Sequence, residues 1–403
     1  MANAVLSLSP MKRNVAILSM AQILYQSTQS MSAATTPLAA YAMLGADKTM
    51  ATVPVFLMNL GLMLVTLPAA LFMGRVGRKN GFTLGAFLGM AGGLVAFGGV
   101  WVQSFWLLCL GGFLQGASGA FAWHYRFAAT DLATGDFRAK ALSLVMAGGV
   151  LAGVIGPQTA KWAVGLFDPI LFAGVYAILA IFAIGMAALV QFIHIPFIPT
   201  VSGSSGGRPM SEIARQPVFI TAVLSSMFGY AVMTLVMSAT PLAMRACGFG
   251  FGDSATVIQW HVVAMFLPSF FTGHLIARFG ALPIIVIGAT LEIGCALVNL
   301  SGIAFGNFVV ANILVGLGWN FCYVGGSTLL TGTYRPDEKA KVQGTHDFLV
   351  YTTTATAAAL SGTLQAQAGW SFVNIAALPM LSIVLCAAAW LWVFHNPRTV
   401  RPS

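Results

Sequence analysis

Residues 70–79 read Ala-Leu-Phe-Met-Gly-Arg-Val-Gly-Arg-Lys and lie between two long apolar runs, at roughly 51–73 and 82–102. Apolar runs of about 20 residues can cross a bilayer as helices, and short basic loops between such helices stay on the cytoplasmic side. A partial copy, Gly-His-Leu-Ile-Ala-Arg-Phe-Gly, occupies residues 273–280, about 200 positions further along. The segment therefore predicts a tight cytoplasmic turn between two membrane helices, and its copy predicts two related halves.

Two further segments repeat at almost the same spacing. Ala-Thr-Thr-Pro-Leu-Ala at residues 34–39 returns as Ser-Ala-Thr-Pro-Leu-Ala at residues 238–243. Arg-Ala-Lys at residues 138–140 returns as Lys-Ala-Lys at residues 339–341. Parallel repeats of this kind are typical of transporters whose two halves rock about a site near the middle of the membrane.

The composition is that of a membrane protein. Of the 403 residues, 58% are hydrophobic and only 7% are charged, whereas soluble proteins carry about 25% charged residues. A water-soluble enzyme, a nucleic-acid reader and a disordered scaffold are thereby excluded. We predict an all-α membrane protein with twelve transmembrane helices, from apolar runs at roughly 14–43, 51–73, 82–102, 104–124, 140–164, 170–193, 218–243, 254–276, 281–300, 304–330, 342–364 and 371–394.

A polar break divides these runs into two groups of six. Residues 200–212 read Thr-Val-Ser-Gly-Ser-Ser-Gly-Gly-Arg-Pro-Met-Ser-Glu, which is the linker-like composition of the chain. We therefore predict three parts, which are an N-terminal six-helix bundle over residues 1–193, a cytoplasmic central linker over 194–216 and a C-terminal six-helix bundle over 217–403.

Basic residues set the predicted orientation, because cytoplasmic loops retain Lys and Arg. Sixteen of the 19 Lys and Arg residues, including Arg398 and Arg401, fall on one face of the predicted topology, and the other three are Lys48, Lys161 and Arg245. Both termini are therefore expected in the cytoplasm. The same asymmetry accounts for the net charge of +9, so that charge does not require a nucleic-acid partner.

The basic segment at residues 70–79 resembles the signature G-x-x-x-D-R-x-G-R-K of the major facilitator superfamily. Gly156-Pro157, at the end of a glycine-rich fifth run, also resembles that superfamily. The chain departs from the signature at Gly74, where an acidic residue is usual, and at Ala70, which replaces the first glycine. The resemblance implies the major facilitator fold of two six-helix pseudo-repeats, with a gating loop at Arg75, Gly77 and Arg78.

Polar side chains interrupt several apolar runs, and such residues are functional candidates because they are expensive to place in a bilayer. Gln22, Tyr25, Gln26, Thr28, Gln29 and Ser30 form a polar belt in the first run, and Gln115, Glu292, Asn320, His346 and Asp347 lie in later ones. The alternative is that amides and hydroxyls join helices to one another. The candidate coupling or cavity residues are Gln26, Glu292, His346 and Asp347.

The seventh and eighth runs each carry two residues with soft donor atoms, Met233 with Met237 and His261 with Met265. A spacing of four places each pair on one helical face. The two runs are antiparallel, so both pairs reach similar depths in the outer half of the membrane. Thioethers select Cu(I), whereas Mg, Ca and Mn prefer carboxylates, which these levels do not offer. Methionine is also common filler in apolar cores, and that alternative stays open.

The M-x-x-x-M pattern followed by H-x-x-x-M resembles the CcoA-like copper importers of the major facilitator superfamily. The resemblance implies import of copper, as Cu(I), across the bacterial inner membrane for assembly of cbb3-type cytochrome c oxidase. It implies Met233, Met237, His261 and Met265 as metal ligands and no permanently bound cofactor. The implied partners are the copper ion, membrane lipid and a cytoplasmic copper chaperone or exporter, without nucleic acid.

The five cysteines are scattered and odd in number, which is not a disulfide framework. Cys247 lies in the outer loop after the seventh run, so it is a candidate for receiving or reducing incoming copper. The sequence lacks a Walker loop, a nucleophile elbow and paired catalytic carboxylates. We therefore expect a transporter and not an enzyme.

Two other functions fit the same sequence. The first is a proton-coupled carrier of small organic solutes, whose polar cavity would use the glutamines of the first run together with Gln115 and Asn320. It predicts that Gln26 matters for transport and that the Met and His pairs do not. The second is a non-transporting membrane assembly factor, which predicts a co-purifying partner and no solute flux.

Overall fold

The computed structural model describes residues 10–129, 137–195, 207–335 and 337–394. Arg398, Arg401 and residues 196–206 of the predicted linker lie outside the described residues, as do the side chains of Arg138 and Lys140. Nearly all of the described chain is helical, and the helices follow the predicted apolar runs.

The first half contains six long helices joined by short loops, as the six apolar runs predict. They are α1 (Pro10–Met43), α2 (Val53–Val76), α3 (Arg78–Trp101), α4 (Phe105–Ala122), α5 (Phe137–Ala163) and α6 (Ala173–Val190). A further single turn, Tyr125–Ala128, follows α4.

The second half begins after the short helix Met210–Ile213. Its last helical segment, Lys339–Phe394, is broken at Gly369, whose φ of 78° and ψ of 177° are not helical. The break divides the segment into α11 (residues 339–368) and α12 (residues 370–394). The preceding helices are α7 (Pro217–Ala246), α8 in two parts (Phe251–Phe266 and Ser269–Phe279), α9 (Ala281–Ser301) and α10 (Phe305–Thr331).

Length and composition identify most of these helices as membrane spans. In the described part of the chain, eight helical segments are long and apolar enough to cross a membrane, or nine when the two parts of α8 count as one bent span. The segment Lys341–Val393 counts once but contains both α11 and α12. The predicted all-α membrane architecture is confirmed. The cytoplasmic position of the termini and the domain boundaries at 193 and 217 stay predictions.

The gating loop and its copy have the same backbone. Gly77 separates α2 from α3 with φ 88° and ψ 160°, and Gly280 separates α8 from α9 with φ 89° and ψ 160°. A positive φ of this size favours glycine, because a Cβ would clash with the backbone. The internal repeat that the sequence predicts is therefore present in the conformation of these two turns.

Helices of one half pack against each other, and a smaller set joins the halves. Within the halves, α1 packs on α5 and α6, while α7 packs on α10 and the last helical segment. Between the halves, α5 packs on α8, α2 packs on α11, and α1 contacts both α7 and α8. Because α1 and α7 occupy equivalent positions in the repeat, the interior between the halves is lined by equivalent helices.

The outer surface of the bundle carries large apolar side chains. Leu67 on α2, Trp106 on α4 and Trp162 on α5 are each exposed over about two thirds of their surface, at 65%, 66% and 65%. Soluble proteins bury most side chains of this size. The exposed apolar surface is the one that lipid covers in a multi-pass membrane protein.

Candidate functional site

A cavity of about 120 Å³ lies between the two halves. Residues of α1, α2 and α4 line it from the first half, and residues of α7, α8 and α10 line it from the second. Its position between the repeats is where transporters of this architecture bind their substrates.

The lining combines aromatic, amide, hydroxyl and thioether side chains, and the described lining residues include no Lys, Arg, Asp or Glu. The aromatic members are Tyr25, Trp123, Tyr230, Phe266 and Trp319. The side-chain amides are Gln26, Gln29 and Asn59, and the hydroxyls include Ser30, Thr234 and Ser238. The thioethers are Met58, Met233, Met237 and Met265. Such a surface suits an uncharged solute with an extended apolar ring.

Helical periodicity explains which residues face the cavity. On α7, the lining residues are Tyr230, Met233, Thr234, Met237 and Ser238, which recur at spacings of three and four. Residues at these spacings share one face of a helix. Gln26, Gln29 and Ser30 of the polar belt on α1 follow the same rule. The polar belt is therefore split between the cavity and the buried interior of the first half.

The three lining amides differ in their hydrogen bonds. Gln29 Nε2 donates to the hydroxyl of Tyr25 at 2.9 Å. Asn59 Nδ2 donates to the carbonyl of Val55 at 2.9 Å. Gln26 is only 7% exposed and has no hydrogen-bond partner within the described residues. Gln26, a predicted cavity residue, thus lines the cavity with its amide groups unused.

The aromatic lining residues of the second half form one packed group. Trp319 is stacked on Tyr323 with 5.4 Å between ring centroids and 6° between ring planes. Tyr230 and Phe266 meet Trp319 edge-to-face, at centroid distances of 5.3 and 6.3 Å. Contacts of this kind hold rings in fixed orientations and add about 0.5–1.5 kcal/mol per pair. These contacts therefore fix the orientation of the Trp319 ring in the cavity wall.

Three of the four predicted metal ligands reach the cavity and the fourth does not. Met233, Met237 and Met265 line it, whereas His261 is fully buried and absent from the lining. Nδ1 of His261 donates to the carbonyl of Asn312 at 2.9 Å, and Nε2 has no partner. No group of three His, Cys, Asp or Glu that could hold a metal was found in the residues that the structure describes.

Two amides that the sequence assigns to an organic-solute cavity lie elsewhere. Gln115 Nε2 donates to the carbonyl of Gly89 at 3.0 Å and joins α4 to α3. Asn320 Nδ2 donates to the carbonyl of Met265 at 2.8 Å and joins α10 to α8. Both side chains are buried and neither lines the cavity. Their role is to connect helices, as the alternative interpretation of buried amides predicts.

The other candidate residues are dispersed. Glu292 on α9 is fully buried, and neither of its carboxylate oxygens has a partner. His346 Nδ1 and Asp347 Oδ1 lie 2.9 Å apart near the start of α11. Cys247 caps the end of α7 as a half-buried free thiol. Arg75 and Arg78 flank Gly77 in the loop between α2 and α3. The gating and coupling roles of these residues stay predictions.

Four lining residues were not predicted from the sequence, namely Asn59, Trp123, Tyr230 and Trp319. Tyr230 could have been predicted, because it precedes Met233 by three residues and so shares the helix face that lines the cavity. Asn59 and Trp319 could not have been predicted, since packing against other helices decides which faces of α2 and α10 line the cavity.

Comparison with known proteins shows the family to which this chain belongs. The model of the Major Facilitator Superfamily matches residues 18–259. The chain belongs to the major facilitator superfamily. This major facilitator is also similar in structure to a bacterial homologue of the human lysosomal transporter Spinster, with a TM-score of 0.72 at 14% identity over 98% of this chain and 99% of the other. At that identity the likeness shows the fold, which is the predicted one.

Two relatives carry the comparison further. The riboflavin transporter RfnT of Brucella anthropi is 40% identical over 377 residues, covering 93% of this major facilitator and 94% of RfnT. The uncharacterised major-facilitator-type transporter YdeG of Bacillus subtilis is 30% identical and covers 94% of this chain and 92% of its own. The prediction that the protein is a transporter and not an enzyme is confirmed.

The copper prediction is wrong. A relative that is 40% identical over nearly the whole chain transports riboflavin, which overturns the likeness to CcoA-like importers, copper as cargo and the copper-handling partners. The physical reason is that a spacing of four defines a helix face and not a ligand set. Methionines on such a face also serve as apolar wall, and Met233, Met237 and Met265 lie in a wall that contains Phe266 and Trp319.

Proposed function

We propose that this major facilitator carries riboflavin, or a closely related neutral flavin, across the bacterial inner membrane into the cytoplasm by alternating access. The proposal is supported by the relative RfnT, a riboflavin transporter that is 40% identical over 93% of this chain. It replaces copper import with the organic-solute alternative. The proposed carrier needs no permanently bound cofactor.

The observation that carries the proposal is the chemistry of the cavity lining. Riboflavin has a flat, uncharged three-ring system with carbonyl and N–H groups at one edge and a hydroxylated side chain. A wall that contains Trp319, Tyr230 and Phe266 can stack on such a ring or meet it edge-to-face. Gln26, Gln29 and Asn59 offer both donors and acceptors. Neutral substrates also avoid the cost of placing an unpaired charge in a wall without ionised partners.

The absence of charge separates this proposal from transport of ionic solutes. Carriers of anions or cations place opposite charges or helix ends near the substrate. The described residues that line this cavity include no Lys, Arg, Asp or Glu. A flavin phosphate, which is an anion, is therefore a poorer substrate of the proposed site than riboflavin.

The direct test is uptake of radiolabelled riboflavin by a bacterial strain that can neither make nor import it. We expect uptake and growth at low riboflavin with the native chain, and a KM raised about tenfold by Trp319→Ala, because one stacking partner is lost. Trp106→Ala is the matched control, since Trp106 is 66% exposed on the outside of α4.

Two results would contradict the proposal. The first is native protein present in the membrane at normal amounts without riboflavin uptake above cells that lack it. The second is riboflavin uptake that Trp106→Ala and Trp319→Ala alter equally, because the cavity would then have no special part in transport.

A further inference from the structure

Gln26 is the lining amide whose hydrogen-bonding groups are unused among the described residues. The other two amides of the wall, Gln29 and Asn59, each donate to a neighbour on their own helix at 2.9 Å. Gln26 follows Tyr25 on α1, and its side chain is more than nine-tenths buried. Its carbonyl and its NH₂ group therefore face a cavity without a protein partner for either.

A side-chain amide that lines a cavity without a protein partner must bond to water or to a ligand there, because leaving it unpaired is costly. Folding tolerates such groups mainly where a ligand or an ordered water supplies the missing partner. The bridging role that Gln115 and Asn320 play between helices is not available to Gln26, which bonds to no neighbouring helix in the described chain. The Gln26 amide is therefore available to form hydrogen bonds with a solute that enters the cavity.

Two other lining residues also have a polar group without a protein partner. The indole nitrogen of Trp319 and the hydroxyl of Ser238 are buried and have no hydrogen-bond partner. Both residues belong to the second half, whereas Gln26 belongs to the first. A solute between the halves thus meets unused polar groups from both sides, next to the packed rings of Trp319 and Tyr230.

The donor and acceptor of a carboxamide lie in one plane, side by side. This arrangement complements an imide or amide edge, in which an N–H group lies next to a carbonyl, through two parallel hydrogen bonds. The same geometry lets Asn and Gln recognise a donor–acceptor edge of adenine. The pyrimidine-dione ring of a flavin presents such an edge, with an N–H group between two carbonyls.

We propose that Gln26 is a specificity-determining residue that reads the imide edge of the flavin ring. Its NH₂ group donates to a ring carbonyl, and its carbonyl accepts from the imide N–H. The ring itself lies against the aromatic wall that Trp319 anchors. This assignment rests on the proposed flavin cargo and adds which edge of the flavin is bound and which residue binds it.

The experiment compares riboflavin with 3-methylriboflavin, in which a methyl group replaces the imide hydrogen. Purified full-length protein in liposomes is loaded with unlabelled flavin, and exchange of each labelled flavin is measured. We expect the native protein to prefer riboflavin in kcat/KM by about tenfold, as loss of one buried hydrogen bond dictates. Gln26→Leu, which has a similar volume and no polar group, should carry both flavins with equal efficiency.

Two further variants control for structural effects. Gln22→Leu changes the same residue type one turn earlier on α1, where the side chain is buried but does not line the cavity, and should keep the native preference. Gln26→Asn keeps a carboxamide on a shorter stem and should keep part of the preference. A Gln26→Leu protein that is merely misfolded would lose exchange of both flavins, and Gln26→Asn would then decide the question through the same preference.

The outcomes separate the two levels of the proposal. Riboflavin exchange with no preference over 3-methylriboflavin, or a preference that survives in Gln26→Leu, overturns the role of Gln26 and leaves the flavin carrier standing. Exchange of neither flavin by the native protein overturns the flavin carrier and the role of Gln26 together.

Discussion

Glu292 has an unusual environment for an ionisable residue. It is fully buried on α9, and no described residue bonds to either carboxylate oxygen. A Cβ on Gly318 of α10 would lie 2.5 Å from its Cγ, and one on Gly229 of α7 would lie 3.7 Å from Oε1. The thiols of Cys295 on α9 and Cys322 on α10 are also buried. An ionised carboxylate there would lack a compensating partner, and buried acids of this kind in membrane helices are candidates for proton coupling.

The first prediction is that Glu292→Gln uncouples the proposed flavin transport from a proton gradient, the coupling for which Glu292 is a predicted residue. A glutamine imitates the protonated acid and cannot release a proton when the halves rock. We expect accumulation of riboflavin driven by a proton gradient to fall to the equilibrium level, while exchange of internal for external riboflavin continues near the native rate. The measurement is both assays on the same proteoliposomes.

The control for this variant is Glu212→Gln, because Glu212 is an exposed acid on the short helix Met210–Ile213. It should accumulate riboflavin like the native protein. If Glu292→Gln still concentrates riboflavin and takes up protons with it, the coupling site is elsewhere and His346 with Asp347 becomes the next pair to test.

At the scale of elements, α8 is bent because Pro268 has no N–H group to continue the helical hydrogen bonds. Its two parts, Phe251–Phe266 and Ser269–Phe279, meet at 41°. Asn320 of α10 fills the gap by donating from Nδ2 to the carbonyl of Met265 and to Ser269 Oγ, both at 2.8 Å. Its Oδ1 accepts from Thr272 Oγ1 at 2.7 Å. One side chain thus joins both parts of the bent helix.

The second prediction is that Asn320→Ala lowers the stability of the folded protein by about 1–3 kcal/mol, because buried groups on both parts of α8 lose their partner. Thermal unfolding in detergent should show a lower midpoint. Asn307→Ala is the control, since Asn307 Nδ2, in the first turn of α10, bonds to Val298 and Ser301 at the partly exposed end of α9, where water can replace it. Equal midpoints for Asn320→Ala and the native protein would show that the bend does not depend on this side chain.

The same elements show what the sequence could predict. The helices follow from the lengths of the apolar runs, and the turns at Gly77 and Gly280 follow from a repeated basic motif. The direction in which each side chain points was harder to predict from the sequence. The His261 ring is oriented by the carbonyl of Asn312 on another helix, 51 residues away, and no local spacing encodes that contact. Asn320 was interpreted as cavity lining because its bend partner is likewise distant in sequence.

The copper cargo was predicted wrongly for a related reason. Cavity chemistry depends on which residues of six helices meet, and a pattern on two of them selects only a part of the wall. The thioethers of Met233 and Met265 were visible in the sequence, whereas the aromatic group around Trp319 emerges only when α7, α8 and α10 are packed together. Polar belts such as the one on α1 predict a cavity more reliably than they predict its occupant.

At the scale of the whole molecule, the halves are joined by polar contacts at the end that the predicted topology places outside. Gly362 N–H of α11 donates to Thr52 Oγ1 at 3.0 Å, next to α2. On the other side of the bundle, Lys161 Nζ of α5 donates to Thr256 Oγ1 of α8 at 2.6 Å. Gln158 Nε2 of α5 donates to Gln259 Oε1 of α8 at 2.7 Å. Alternating access requires these contacts to break once in each transport cycle.

The last prediction is that a covalent bond at this end stops transport. A Cβ on Gly362 would lie 2.6 Å from Thr52 Oγ1 and 3.0 Å from Thr52 Cγ2, which is within the reach of a disulfide. In a background without the five native cysteines, Thr52→Cys with Gly362→Cys should cross-link on oxidation. Riboflavin exchange should then cease and return after reduction, because the disulfide holds the halves together where they must part.

The matched control joins a glycine and a hydroxyl residue within one half. A Cβ on Gly326 of α10 would lie 2.4 Å from Ser226 Oγ of α7, so Ser226→Cys with Gly326→Cys should also cross-link. Transport should survive this cross-link, because each half moves as a unit. If oxidised Thr52→Cys, Gly362→Cys protein exchanges riboflavin at the reduced rate, the halves do not separate at this end, and another motion must open the cavity.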